Sequence, residues 1–410
     1  MTALGDILTQ YPWLVYVFII SVSALIGWGT NWLAVKMTFY PLDFVGIKSI
    51  RLGWQGLIPY HSQKIGQKTV DLITQKLLPP QELVQKIDPK LLSKALVPVF
   101  ENLLEPAIED IIESRNPRLW EFLPQGVRRQ VKARALASLP HVVECILEDV
   151  EVALDDLVDI RALVADAITG DNREILNELF WRCGAPEFKF IIRCGLYFGA
   201  GLGAVQAAIW YFIQAWWLLP VAGIFIGYLT NWVAIKMIFE PVHPKKYFGY
   251  EYQGLFLKRQ AEVAAAYGEL IGKHVVVPDK IVSLLFDGKG AEQFGEIVHL
   301  AIRREIDEQL ANAKGFVVVA IGAQSYVDLK KEISAKVVHL MPKYSHVLDS
   351  FWEEHLKVGQ MIEERLAKLP PEEFEDVLHS VFKEDEWLLI LVGALLGMAA
   401  GWIQTLFLLN

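Results

Sequence analysis

"GTNWLAVKM" occupies Gly29–Met37, and "LTNWVAIKM" occupies Leu229–Met237. Each copy sits in a stretch otherwise free of charge. No charged residue lies between Asp6 and Lys36, none between Arg193 and Lys236, and none after Glu386 as far as Asn410. A helix crosses a bilayer's hydrocarbon core with about 20 apolar residues. The first and last runs each fit one such helix. The middle run is about twice that length and carries Pro220 near its centre, beside Trp216 and Trp217. It reads as two helices joined by a tight turn. The spacing therefore predicts spans at residues 12–36, 191–213, 217–239 and 387–409.

The composition fits a chain that is part membrane and part water-exposed. Of 410 residues, 53% are hydrophobic and 21% charged, with a mean hydropathy of +0.31. A net charge of −9 offers no broad positive field for phosphates, which argues against nucleic acid as a partner. Cys145, Cys183 and Cys194 form no CxxC and no Cys/His ligand spacing, so reduced thiols facing a cytoplasm are expected. The first run lacks a basic leader and exceeds a signal peptide's apolar core, so it reads as an anchor. Lys36, Lys48 and Arg51 follow the first span, Arg182, Lys189 and Arg193 precede the second, and Lys236, Lys245 and Lys246 follow the third. Lys383 precedes the fourth, while both ends of the chain and the 213–217 turn carry no Lys or Arg. The positive-inside rule then puts both large loops in the cytoplasm and both termini outside.

The opening match extends further. Thr30, Asn31, Trp32, Ala34, Lys36, Met37, Phe39 and Pro41 correspond to Thr230, Asn231, Trp232, Ala234, Lys236, Met237, Phe239 and Pro241. "WQGL" at Trp54–Leu57 corresponds to "YQGL" at Tyr252–Leu255. Gly195, Gly199, Gly203 and Gln206 correspond to Gly393, Gly397, Gly401 and Gln404. The expected fold is an all-α membrane protein with four transmembrane helices in two parallel tandem repeats, related by an axis along the membrane normal. Each repeat carries a large helical cytoplasmic insertion, residues 40–188 and 240–386.

Trp28, Trp32 and Lys36 are four apart and share one helix stripe, as do Tyr228, Trp232 and Lys236. An aromatic–Trp–Lys stripe suits a membrane-interface anchor; a lysine lining a substrate path is the alternative. Asn31 and Asn231 lie about 7–8 Å inside their lysines, with Gly27 and Gly227 four residues earlier on the same face. An amide beside a small residue is typical of a packed helix interface. Asn31 is expected to face the glycine ladder of a return span, or Asn231 across the axis. These amides and glycines, together with Gln206 and Gln404, serve either packing or a polar path. No Asp, Glu or Arg falls inside any span, which weighs against proton coupling.

The two insertions show helical periodicity over Ser62–Leu78, Gln81–Ile112, Val127–Leu139 and His141–Ile168, then Gln260–Val276, Asp279–Leu285, Ala291–Ala313, Val327–Leu340 and His346–Leu369. Prolines such as Pro98, Pro106, Pro117, Pro124 and Pro140 predict short or kinked helices. "GFVVVAIGA" at Gly315–Ala323 is too short to span. Pro59 is suited to start a helix after the first Gln-Gly-Leu motif, with His61, Lys64 and Lys68 near the inner leaflet. Acidic runs at Glu144–Asp149, Asp155–Asp159 and Glu372–Glu375 read as solvated faces. "EEHLK" at Glu353–Lys357 lacks the second His of a zinc protease, and "GAGLG" at Gly199–Gly203 has no preceding strand. No catalytic residue, cofactor site or metal site is expected.

Through "GWGTNWLAVKMTFYP" at Gly27–Pro41, "WQGLIP" at Trp54–Pro59, "GYLTNWVAIKMIFEP" at Gly227–Pro241 and the glycine–glutamine return spans, the chain resembles the domain-of-unknown-function 445 family of bacterial membrane proteins, the YheB-like proteins. The resemblance implies a helical protein of the bacterial inner membrane and lends no catalytic residues. Leu257 stands where the first copy has Pro59, so a looser second turn is expected. The function expected is a non-enzymatic, membrane-anchored scaffold or envelope-organising platform in contact with lipid. The alternative is a conduit for lipid or a small solute along the interface between repeats. Membrane lipids are the expected partners, with protein partners on the cytoplasmic side and a homo-oligomer left open.

Overall fold

The computed structural model describes residues 11, 13–47, 52–115, 125–168, 173–247, 249–309, 323–383 and 386–409. Expectations resting on Asp6, Lys48, Arg51, Pro117, Pro124 and residues 315–322 lie outside these. The described chain is largely helical and falls into two compact units. One comprises residues 1–72, 165–270 and 362–410; the other comprises 73–164 and 271–361.

The first unit is built on four long helices. α1 covers Trp13–Phe39 and is followed by the antiparallel hairpin β1 (Val45–Ile47) and β2 (Leu52–Trp54), then α2 (Leu57–Tyr60) and α3 (Ser62–Asp71). The second unit's first segment holds a π-helical turn at Leu72–Leu77, α4 (Pro80–Gln85), α5 (Pro89–Arg115) and α6 (Gln125–Leu157), with α7 (Ile160–Ile168) following. α8 runs Arg173–Phe212 and α9 runs Leu218–Phe239. The hairpin β3 (Lys245–Tyr247) and β4 (Tyr250–Tyr252), then α10 (Leu255–Lys258) and α11 (Gln260–His274), repeat the order seen after α1. The remaining helices are α12 (Pro278–Asp287), α13 (Ala291–Gln309), α14 (Ala323–Leu340), α15 (Ser345–His355), α16 (Val358–Ala367), α17 (Pro371–Phe382) and α18 (Glu386–Leu409).

Four of these helices are long and apolar enough to cross a membrane: α1, α8, α9 and α18. α8 is the one that departs from expectation. It begins well before residue 191, at Arg173, and Pro186 sits inside it without ending it. Pro140 likewise lies inside the 33-residue α6, and α5 passes through Pro98 and Pro106. A buried apolar stripe can hold a helix together across one lost hydrogen bond, so the helices through Pro98, Pro106 and Pro140 are not short. The two hairpins also correct the all-helical expectation, although each strand has only three residues. His346–Leu369 is not one helix: Lys357 takes a positive φ of 39° and separates α15 from α16.

Helix α1 packs most extensively on α8, and α9 on α18; α1 also meets α9. Glycine makes the two main pairings possible. A β-carbon on Gly27 would fall on the carbonyl oxygen of Gly195, and one on Gly195 would fall on that of Gly27. Gly227 stands in the same relation to Gly393, and Gly223 to Gly397. Gly203 meets the Ser23 side chain and Gly401 meets the Leu219 carbonyl. The helix backbones therefore touch, and dispersion contacts accumulate along the whole crossing. At one end, Ile19, Ala207, Trp210, Leu218 and Leu219 close the bundle. At the other, Ala34, Leu57 and Leu389 do so.

The second unit draws on two stretches of the chain. Leu92, Leu139 and Val143 from its first segment share a core with Phe351 from its second. α6 packs against both α5 and α13. The parts of residues 40–188 and 240–386 that flank the long helices belong instead to the first unit.

Overpacking a close crossing costs about 1–3 kcal/mol. Gly227→Ala is expected to lower the thermal unfolding midpoint of the detergent-purified protein. Gly201→Ala, at a glycine with open space around its β-carbon position, is expected to leave it unchanged.

Candidate functional site

The Thr-Asn-Trp triplet at residues 30–32 and 230–232 resolves into three separate jobs. Thr30 donates its hydroxyl to the Ile26 carbonyl at 2.9 Å, and Thr230 to that of Ile226 at 2.8 Å. Back-bonding of this kind lets a threonine lie on a packed face with its hydroxyl satisfied. Asn31 donates Nδ2 to the Ile191 carbonyl at 2.6 Å, and Asn231 to the Leu389 carbonyl at 2.8 Å. Both asparagines are buried, and their amides lie against Gly195 and Gly393. Each therefore grips the return helix of its own copy, and neither pairs with the other. Trp32 and Trp232 point away from the bundle, at 43% and 38% exposure.

The exposed stripes follow the four-residue spacing. Trp28 and Trp32 stack at 6.4 Å, and Tyr228 is exposed beside Trp232. Lys36 sits over the Tyr40 ring and Lys236 over the Trp232 ring, each at 5.2 Å. Lys236 also pairs with Glu240 at 2.9 Å.

The Gln-Gly-Leu motifs fasten the turn beneath each helix. Tyr40–Pro41 and Glu240–Pro241 are both cis. The Gly56 amide donates to the Pro41 carbonyl at 2.9 Å, and that of Gly254 to Pro241 at 3.0 Å. Gln55 donates to the Leu42 carbonyl at 2.7 Å, and Gln253 to that of Val242 at 2.9 Å. Gly56 and Gly254 lie so close to the ends of α1 and α9 that a β-carbon would strike backbone at 2.8 Å and 2.6 Å. The second turn is thus held as firmly as the first. Gln and Gly do the holding, and Pro59 lies inside α2 instead of starting it.

The glutamines diverge. Ser23 donates to Gln206 Oε1 at 2.8 Å. Position 223, two hundred residues on, is glycine. Gln404 is only 1% exposed, and neither polar atom of its amide has a hydrogen-bond partner.

Where α1, α8, α9, α10 and α18 converge, a cavity of about 50 Å³ is walled by Val35, Phe39, Phe180, Phe188, Ile235, Phe239, Phe256 and Leu389. Thr38, Asn231 and Glu187 supply its polar lining. Of the asparagines only Asn231 reaches it. Glu187 is 3% exposed; its Oε1 accepts from Arg259 at 2.6 Å, and its Oε2 has no partner. Arg259 also bonds Glu262 at 2.7 Å. Sequence reading missed both members of this pair, because Glu187 lies just before the charge-free run and Arg259 sits far along the chain. The available signal was the buried spacing Leu176, Leu179, Phe180, Cys183, which carries the apolar face of α8 down to Glu187.

A second cluster frames His379. Its Nδ1 meets Glu375, its Nε2 meets Glu386 at 2.7 Å, and its ring stacks on Phe239 at 4.4 Å. At the matching place in the first copy Trp181 packs edge-on to Phe39 at 5.0 Å. Burial works against the charged imidazole, but the hydrogen bonds to Glu386 and Glu375 outweigh it and raise the His379 pKa.

Known proteins with detectable likeness are membrane proteins of bacteria. A UPF0754 membrane protein of Staphylococcus epidermidis is 26% identical over 159 residues, 38% of each chain. One of Bacillus pumilus is 33% identical over 93 residues, covering 22% of this chain and 25% of its own. One of Rippkaea orientalis is 28% identical over 150 residues, 35% and 36% respectively. Each alignment spans less than two-fifths of the relative's length. No family model and no solved structure matches the chain. The four apolar helices and these likenesses together give the chain a membrane location.

Arg259→Met strands a buried carboxylate and is expected to cost about 3 kcal/mol; adding Glu187→Gln should recover most of the lost thermal stability. For His379 the folded pKa is raised, so its contribution is complete below the unfolded value of about 6.5 and fades as pH climbs through the folded value. Melting curves across that range should show the wild type losing stability towards alkaline pH, with His379→Gln flattening the loss.

Proposed function

We propose that the protein is a non-enzymatic membrane anchor whose two copies of one helical unit form a sealed bundle, presenting a helical region to protein partners and lipid. The bundle would sit in the bacterial inner membrane with both large loops in the cytoplasm, as the lysine and arginine placement favours. Parallel duplication is supported by the matched glycine contacts, asparagine bonds, cis prolines and glutamine clamps of the two halves. The resemblance to the domain-of-unknown-function 445 family rests on those same residues.

One observation carries the choice between anchor and conduit. Asn31 and Asn231 spend their donors on helix carbonyls and lie against glycine. A permeation path along the repeat interface would need those amides free to meet a passing solute. The cavity beside Asn231, at about 50 Å³, has room for a few waters. A lipid chain or a metabolite needs a site several times larger. The exposed aromatic and lysine stripes suit the headgroup layer, where a ring and an ammonium are both solvated favourably.

Cysteines introduced singly at Asn231 and Gln206, in a chain whose native cysteines are replaced by serine, test the sealed bundle. In reconstituted vesicles a membrane-impermeant thiol reagent is expected to leave both unlabelled while labelling a cysteine at Trp232. Rapid labelling at Asn231 from the aqueous phase would favour the conduit.

A further inference from the structure

The second unit holds a group of side chains that the membrane role does not use. His141 and Cys145 are four apart on α6 and share one face. Glu305 and Glu308 are three apart on α13, the helix packed against α6. One ligand atom from each of His141, Glu305 and Glu308 can be chosen so that all lie within 4.8 Å of one another. His141 Nε2 is 3.6 Å from Glu308 Oε2 and 3.9 Å from Cys145 Sγ. We propose that His141, Cys145, Glu305 and Glu308 form a binding site for a borderline-soft divalent cation, Zn²⁺ above all.

Three ligands stand together, and Cys145 is one helical turn from His141 to supply a fourth. Bond lengths of about 2.0–2.1 Å to nitrogen or oxygen and about 2.3 Å to sulfur put neighbouring ligands about 3.4–3.6 Å apart. The two distances from His141 Nε2, 3.6 Å to Glu308 and 3.9 Å to Cys145, need to close by only a few tenths of an ångström, and the Cys145 side chain turns towards the two glutamates to complete the shell. Surrounding groups orient the ligands. Gln309 donates to Glu305 Oε1 at 2.8 Å and leaves the other oxygen available, while Glu305 itself is buried. The Glu144 carboxylate lies 3.9 Å from His141 Nδ1, on the side of the ring away from Nε2. His141 and Glu308 are more than half exposed, so an ion can enter.

Ligand chemistry selects the metal. A thiolate and an imidazole favour zinc over magnesium or calcium, which prefer all-oxygen shells. Binding transfers one proton from the thiol to solvent as the Zn–S bond forms. With thiolate, two carboxylates and neutral imidazole, the loaded site carries one net negative charge. Spacing along the chain does not show this site, since its two halves come from different segments.

The test uses the full chain in detergent, stripped with chelator, then dialysed against Zn²⁺ and analysed for bound metal. One zinc per chain is expected, with a raised melting temperature. Affinity should fall about tenfold or more in His141→Ala and in Cys145→Ser. Co²⁺ loading should give a thiolate charge-transfer band in the wild type that is lost in Cys145→Ser. Because His141 is exposed, its variant is expected to fold normally without metal, which the metal-free melting curve checks. Equal zinc uptake by wild type and His141→Ala, or absence of the cobalt–thiolate band, would overturn the proposal. So would a thermal shift with Ca²⁺ but none with Zn²⁺.

Discussion

Two helix backbones can touch only where side chains are missing from both. That constraint organises the first unit. Gly27 against Gly195 and Gly227 against Gly393 bring each outgoing helix onto its return helix. In a bilayer the lipid chains are as apolar as leucine, so burying apolar area gives little drive to associate. Close contact and hydrogen bonding must supply it. The asparagine of each copy can reach a carbonyl on the neighbouring helix because glycine has let that helix approach.

The same economy of space explains the turn beneath each helix. Gly56 and Gly254 tuck under the ends of α1 and α9, while Gln55 and Gln253 tie off carbonyls just beyond the cis prolines. The copies are free to differ where this frame does not depend on identity. Gly223 stands where the first half has Ser23, so Gln404 lacks the hydroxyl that Gln206 uses. Trp181 and His379 fill one place with different chemistry, and only the second responds to pH.

The long apolar runs announced four helices because charge is too costly in a membrane to be scattered by chance. The TNW repeat and glycine ladders announced which faces meet, since four-residue spacing maps directly onto a helix stripe. Pro98, Pro106 and Pro140 misled, because a proline's local preference yields to the burial of a whole face. The Glu187–Arg259 pair and the His141–Glu308 group were invisible for a simpler reason. Their members come from segments distant in sequence, and only tertiary packing brings them together. The joining of residues 73–164 with 271–361 in one unit was hidden in the same way.

The proposed sealed bundle rests on Asn31 and Asn231, whose amide nitrogens each donate to a carbonyl of the neighbouring helix. What remains accessible is the aromatic and lysine girdle and the helical surface of the second unit, both suited to contacts with other molecules. A high-resolution electron cryo-microscopy map of the protein in lipid tests the sealed state most directly. The account predicts continuous density from the Asn31 and Asn231 side chains to the carbonyls of Ile191 and Leu389, with glycine backbones in contact beside them. A file of water or solute density running past the two amides, with the α1–α8 and α9–α18 crossings held apart, would contradict it.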